Sequence, residues 1–180
     1  ATKIQIHKIK RNRHQPRKIF NEDEIQKLAD SIRQNGQIAP IVVRKMEDSF
    51  ELIVGERRWR ASQLLKKDTI NAVIIEADEK TSAVLSIVEN VQREDLNSME
   101  EAESLERLIN EFSMSHEDVA KYISKSRAHV TNIIRLNDLS KFVKDQLRQN
   151  HISMGHARAV ITLSHDEQSK ICLLYTSPSP

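Results

Sequence analysis

The sequence predicts an α+β chain of two parts, a small mixed α/β unit over residues 1–96 and an all-helical unit over residues 97–173. Three observations carry this. Up to about residue 96, short apolar runs of strand character alternate with helical patterns, and beyond it only helical spacing recurs. Three glycines and four prolines in 180 residues leave most of the chain to regular structure. Aromatic residues are only 4% of the total, so aliphatic side chains must build both cores.

Taken in order, Ile4, Ile6 and Ile9 form a short alternating stretch that predicts an edge strand, followed by a loop through Pro16. Ile25, Leu28, Ala29 and Ile32 predict a helix from Glu22, which Asn35-Gly36 ends because both residues accept the left-handed conformation of a helix C-terminus. Ile41–Val43 and Phe50–Val54 predict a hairpin turning at Glu47–Ser49. A helix then runs from Glu56 to Leu65, with Trp59, Leu64 and Leu65 inward. A strand at Asn71–Ile75 and a helix at Thr81–Glu94, with Ala83, Val84, Ile87, Val88 and Val91 on its apolar face, complete the first part.

The second part opens on Ser98-Met99-Glu100-Glu101, a capping-box pattern with Ser98 as the predicted N-cap. The segment 115–136 has the form of a helix-turn-helix. Ser115 caps a helix with Val119, Ala120 and Ile123 on one face, residues 124–126 supply the turn, and Arg127–Leu136 forms a second helix with Val130, Ile133 and Ile134 inward. Ala120 is small where the two helices must cross, and Val130 meets it from ten residues on. Ser124 stands where such turns often carry glycine. Ser126, Arg127, His129, Thr131 and Asn132 are predicted on the outer side of the second helix, the part that enters a major groove. Arg127 suits a bidentate contact to guanine and Asn132 suits adenine or phosphate, while Lys125 and Arg135 are placed for phosphates.

A formal net charge of +2 hides two acid-free basic stretches, residues 3–18 and 119–137, separated by a strongly acidic one over 76–118. Two basic surfaces point to two polyanions. One cysteine, Cys172, excludes a disulfide framework and a multi-cysteine metal site. No apolar run approaches the ~18 residues of a membrane span and no signal-peptide pattern is present, which predicts a cytoplasmic protein with no membrane partner. Residues 174–180 break the helical pattern and read as a truncated or non-native tail.

The first polyanion site is predicted at Gly55-Glu56-Arg57-Arg58-Trp59-Arg60-Ala61, which follows a strand and opens a helix. Backbone N–H groups at a helix N-terminus attract anions, Gly55 allows close backbone approach, and Arg57 and Arg58 add forked cationic donors. No Walker loop is present. Glu89-Asn90-Val91-Gln92-Arg93 is a second cluster: a carboxylate and an amide suited to Mg²⁺ beside a triphosphate, and Arg93 for a further phosphate. The same spacing also fits an ordinary i, i+4 ion pair.

Together these residues resemble the ParB family of chromosome and plasmid partition proteins. The matches are Gln15–Lys18, Gly36–Arg44, Gly55–Ala61, Glu89–Leu96 with Glu100-Glu101-Ala102, Lys125-Ser126-Arg127 and Gly155–Ala159, in register over residues 4–165. The resemblance implies a ParB/sulfiredoxin-like α/β domain that binds CTP with Mg²⁺, and a helical domain that recognises a palindromic centromere site, parS. It further implies self-association of the N-terminal domains into a sliding clamp, slow CTP hydrolysis that reopens it, and a ParA-type ATPase partner. On this chain Gly55, Glu56, Arg57 and Arg58 would cradle the triphosphate with Asn90 and Arg93. Arg17 and the loop Gly36, Gln37, Ile38, Pro40 would face the nucleotide. Glu56 and Glu89 would serve hydrolysis, Glu89 and Asn90 would hold the metal, and Gly155 and His156 would join the DNA contacts. Ala39 departs from the family's usual glutamine, and the length leaves no room for the family's C-terminal dimerisation domain. Alternatives are a Noc-like nucleoid-occlusion protein, whose relatives tend to carry glutamine and arginine at the positions of Arg127 and Gly155, and a plain helix-turn-helix regulator. A sulfiredoxin-like phosphotransferase would need a cysteine where Glu56 stands.

Overall fold

A computed structural model describes residues 1–15 and 19–176. The chain forms two compact units that meet in sequence between Asn90 and Val91. In the first, β1 (Thr2–Gln5), β2 (Ile9–Lys10), β3 (Ile41–Lys45), β4 (Phe50–Val54) and β5 (Thr69–Ile75) build a mixed sheet in the order β1-β5-β3-β4-β2. The β3–β4 hairpin is antiparallel, and α2 (Glu56–Leu64) lies in the crossover that returns the chain to β5, parallel to β3.

The N-terminal stretch is not the single edge strand expected from its isoleucines. A 3-10 turn at Ile6–Lys8 divides it, sending β1 antiparallel beside β5 and β2 parallel beside β4, at opposite edges of the sheet. The reason lies in the spacing. Ile6 and Ile9 are three apart, and one turn of 3-10 helix stacks residues i and i+3 on the same side, so both are buried together with Ile4. One sheet face is filled by these three with Ile41, Val43, Leu52, Ile70 and Ala72, and Phe50 and Trp59 pack onto it.

Asn21 caps α1 (Glu22–Asn35) by accepting from the N–H groups of Asp23 and Glu24, and Gly36 ends it at φ 74°. Its apolar stripe, Ile25, Ala29 and Ile32, meets Ala61 of α2 beside Phe20, Leu28 and Leu65. Leu64, expected inward, is 52% exposed. Ala61 and Leu65 share a stripe at i, i+4, and Leu64 falls off it by one residue's turn of about 100°. The last helix of this unit, α3 (Glu79–Val91), buries Ala83, Val84, Ile87 and Val88 as expected, together with Ser82, Ser86 and Asn90.

The second unit is helical among its described residues: α4 (Ser98–Asn110), α5 (His116–Ile123), α6 (Arg127–Ile134), a 3-10 turn at Arg135–Asp138, α7 (Lys141–Arg148), α8 (Met154–Val160) and α9 (His165–Thr176). Its starts are written in serine and asparagine caps. Asn97, Ser115, Ser126, Ser140 and Ser153 each accept from the backbone N–H three residues on. The predicted cap at Ser98 is therefore displaced by one residue to Asn97, whose side chain has the same capacity. Met99, Ala102, Leu105 and Leu108 of α4 are fully buried, as are Val119, Val130, Leu136 and Val143.

Candidate functional site

Gly55 closes β4 and opens α2 at φ 103°, a conformation that disfavours any side chain. A Cβ added there would lie 2.7 Å from Ile41 Cγ2 and 3.2 Å from Arg58 Nη1. The glycine is thus required by the packing of β3 against the start of α2, and the space expected for an approaching ligand is filled by Ile41. Gly55 has no side chain to cap the first turn. Arg58 folds back beside this turn and donates from Nη1 to the Pro40 carbonyl at 2.9 Å, joining α2 to the loop that follows α1.

The four residues of the motif diverge. Arg57, next round the helix, turns to Glu24 of α1 at 3.4 Å. Glu56 is turned inward, only 5% exposed, and its Oε1 accepts from Arg11 Nε at 2.8 Å and from Arg60 Nη2 and Nε at 3.0 and 3.2 Å. Arg60 and Arg11 lie 4.2 and 5.8 Å from the centroid of Phe20, a cation–π arrangement that orders both guanidiniums. Glu56 Oε2 is buried with no hydrogen-bond partner among the described residues.

In the loop, Gln37 is a fastener. Its amide donates to the carbonyls of Ala39 and Asn71 at 2.9 and 2.8 Å and accepts from the Asn71 N–H at 2.9 Å, imitating a strand's two-way pairing with β5. Ile38, between these bonds, is 88% exposed. Gly36, Pro40, Gly55 and Arg58 are thereby gathered at one end of the sheet, with Gln37 holding the loop rather than facing outward. Glu89 and Asn90 end α3, Glu89 half-buried and Asn90 6% exposed. Arg93 belongs to the second unit, where it pairs with Asp95 at 2.6 Å. Arg17 lies outside the described residues.

Among the described residues no three His, Cys, Asp or Glu side chains gather so as to hold a metal. Glu89 and Asn90 as a pair still fit Mg²⁺, which usually takes one or two protein ligands and completes its shell from phosphate and water. The first turn of α2, uncapped by any side chain and beside the Arg58 guanidinium, offers the donors that a phosphate group takes.

In the second unit the turn between α5 and α6 has the expected form. Ser115 and Asp118 make a reciprocal capping box, and the Asp118 carboxyl is held below its ordinary pKa chiefly by its bond with Ser115. Ser124 ends α5 at φ 57°, ψ 43°, the left-handed geometry that glycine would take more easily. Ala120 and Val130 are buried at the crossing. Lys125, Ser126, Arg127, Asn132 and Arg135 are exposed. His129 and Thr131, expected outward, are half-buried fasteners: His129 Nε2 meets Glu101 Oε1 at 2.8 Å, and Thr131 Oγ1 meets His116 Nδ1 at 2.9 Å. His129 is thus engaged with α4 and Thr131 with α5. The Ser126 hydroxyl accepts from the His129 N–H at 3.0 Å and so fixes the start of α6. Gly155 and His156 are exposed near the start of α8, where Ser153 Oγ lies 2.9 Å from His156 Nδ1 and Tyr175 stacks on the imidazole at 5.0 Å.

Two family models match in tandem, one described as the ParB N-terminal domain over residues 1–91 and one described as the ParB HTH domain over residues 94–176. The chain belongs to the ParB family. Probable chromosome-partitioning proteins ParB from Xylella fastidiosa and Coxiella burnetii are 42% and 45% identical over 93% of the chain. The chain spans only 54% and 58% of their lengths. A crystal structure of the C-terminally truncated chromosome-partitioning protein ParB from Caulobacter crescentus, complexed to the centromeric parS site, superposes with a TM-score of 0.78 at 33% identity, covering 96% of this chain and 98% of that one.

For this ParB-family chain, sequence reasoning missed the partners of Glu56. Arg60 at i+4 was a visible signal, whereas Arg11 comes from a distant loop with no local mark. No helix among the described residues is long and apolar enough to cross a membrane.

Proposed function

We propose that this chain is the DNA-reading and nucleotide-binding part of a chromosome or plasmid partition protein. The observation that carries the reading is the α5–α6 helix-turn-helix, whose outer edge presents Lys125, Arg127, Asn132 and Arg135 without an acidic residue between them. The likeness to the Caulobacter protein complexed with parS supports a parS-like palindrome as its DNA. Arg127 reads guanine, Asn132 adenine or a phosphate, and Lys125 and Arg135 hold backbone phosphates, while Gly155 and His156 at the start of α8 contribute a second contact.

Family membership and the uncapped start of α2 beside Arg58 support CTP as the nucleotide of the first unit. Gly55, Arg58 and the Gly36–Pro40 loop hold it, with Arg17, Arg57, Asn90 and Arg93 completing the phosphate contacts and Glu89 with Asn90 holding Mg²⁺. When bound, Mg²⁺ neutralises phosphate charge. Glu56 and Glu89 assist a slow hydrolysis, which needs little more from the protein than positioning and charge neutralisation. Two copies associate through their N-terminal domains into a DNA clamp, and a ParA-type ATPase moves the assembly on the nucleoid.

Crosslinking between N-terminal domains, with and without CTP and parS duplex, tests the whole reading. Crosslinking that requires both supports it. Equal crosslinking with ATP, or tighter binding of a nucleoid-occlusion palindrome than of parS, overturns it.

A further inference from the structure

A chain of buried polar side chains crosses the first unit away from the phosphate contacts. Arg44 of β3 and Glu51 of β4 sit opposite each other, and Arg44 Nε donates to Glu51 Oε2 at 2.5 Å. The same oxygen accepts from the Ser82 hydroxyl in the first turn of α3 at 3.0 Å. Ser82 Oγ in turn accepts from Asn12 Nδ2 at 3.1 Å. Asn12, 3% exposed, accepts from the His14 N–H at 2.8 Å and, through its carbonyl, from the Gln15 N–H at 3.1 Å. A single hydroxyl therefore ties the sheet, α3 and the segment 12–15, using its one proton toward Glu51 and a lone pair toward Asn12.

We propose that Ser82 is a positioning residue for the nucleotide site, acting through α3 and through the 12–15 segment; this rests on the nucleotide reading above. Ser82, Ser86 and Asn90 are four residues apart and all buried, so they form one stripe along α3. The stripe runs about 12 Å from the Ser82 junction to Asn90. Ser86 Oγ, midway, is buried with no hydrogen-bond partner among the described residues, so of the two serines in the stripe it is Ser82 that ties the helix to the sheet. A roll of about 20° would move an atom ~6 Å from the helix axis by about 2 Å, several times the tolerance of a hydrogen bond. Glu89 and Asn90 would lose their aim. The other arm of the junction fixes the turn that leads into Gln15. Apolar side chains of the same shape would hold the fold at least as well, but a directional network favours one rotation.

The test compares Ser82→Ala, Asn12→Ala and Ser82→Thr with Ile70→Val, a core change in the same unit that leaves the network intact. All are made in the full chain and measured well below their melting temperatures. Ser82→Ala is expected to weaken CTP binding about 10-fold and to slow hydrolysis by a further ~10-fold, since small misplacements weigh more on rate than on binding. Asn12→Ala shows the same pattern more weakly, Ser82→Thr returns toward wild type, and nucleotide-free parS affinity stays within about twofold throughout. Amide hydrogen exchange is expected to rise at residues 12–15 and 89–90 in Ser82→Ala. Wild-type CTP binding and hydrolysis in Ser82→Ala, or an equal loss in Ile70→Val, overturns the proposal. If the wild-type chain binds no CTP, the nucleotide reading fails, and exchange at 12–15 and 89–90 unchanged from wild type then rejects the junction as well.

Discussion

Replacing Gly55 by alanine tests the account of the motif's first residue. The backbone there sits at φ 103°, and holding a non-glycine residue in such a region costs about 1–3 kcal/mol. The new Cβ would stand 2.7 Å from Cγ2 of the fully buried Ile41, well inside contact distance, and overpacking of this kind adds about 1–3 kcal/mol. The sum is about 2–6 kcal/mol, a large part of the ~5–15 kcal/mol that holds a typical domain together. Urea denaturation followed by Trp59 fluorescence, which reports on the first unit, measures it. The Ile41→Ala background separates the two contributions. Ile41→Ala alone costs about 2–5 kcal/mol, but it removes the clashing methyl, so Gly55→Ala made on top of it should cost ~1–3 kcal/mol less than in wild type. Strict additivity within about 0.5 kcal/mol would refute the packing argument and return Gly55 to the role of ligand approach.

Arg58→Ala removes the link to Pro40 and the guanidinium at the start of α2, so CTP binding measured by titration calorimetry should disappear while parS affinity holds. Arg127→Ala should do the reverse, costing about 1–3 kcal/mol and relaxing the sequence preference at one base position in a binding-site selection. Lys125→Ala should weaken all duplexes alike and lower the salt slope of binding by about one. Acid should loosen three helix starts. Asp78, Asp118 and Glu167 are held below their ordinary pKa by bonds with Thr81, Ser115 and Ser164. A carboxyl lowered in the folded state stabilises above its unfolded pKa and loses that contribution as pH falls through the lower folded value. Urea midpoints should therefore be flat from pH 7 to about 5 and fall below about 4. In Asp78→Asn, which keeps the cap, the fall should be shallower.

Local chemistry made much of the fold readable. The bounds of α1 follow from Asn21 and Gly36, and α5 opens on the Ser115–Asp118 box, because caps act over three or four residues and leave a mark in the sequence. Sequence was less decisive where two neighbours share a capacity, as at Asn97 and Ser98, and where an apolar stretch served two strands, as at Ile4, Ile6 and Ile9. The candidate sites show the same division. Residue types and spacing located the start of α2 and the outer edge of α6. They did not reveal that Glu56 faces Arg11, that Gln37 pairs with Asn71, or that His129 faces Glu101, since those partners lie 45, 34 and 28 residues away. Periodicity gives the side of a helix that a residue occupies, and only the packed fold gives what stands there.

The orientation of Glu56 bears on how a hydrolytic switch built on this site would behave. Its Oε1 is engaged by two guanidiniums, while a carboxylate that assists attack on a phosphate must present an oxygen to water or metal. Bonds to charged donors contribute about 1.5–3 kcal/mol each, and with Arg11 and Arg60 each more than a third exposed the lower end applies. Releasing both therefore costs roughly 3 kcal/mol, which alone slows a reaction by about a hundredfold. Nucleotide phosphates are the natural competitor for the two guanidiniums, so binding would itself help to free the carboxylate. On the proposed reading this pairing holds Glu56 back until a triphosphate competes for Arg11 and Arg60.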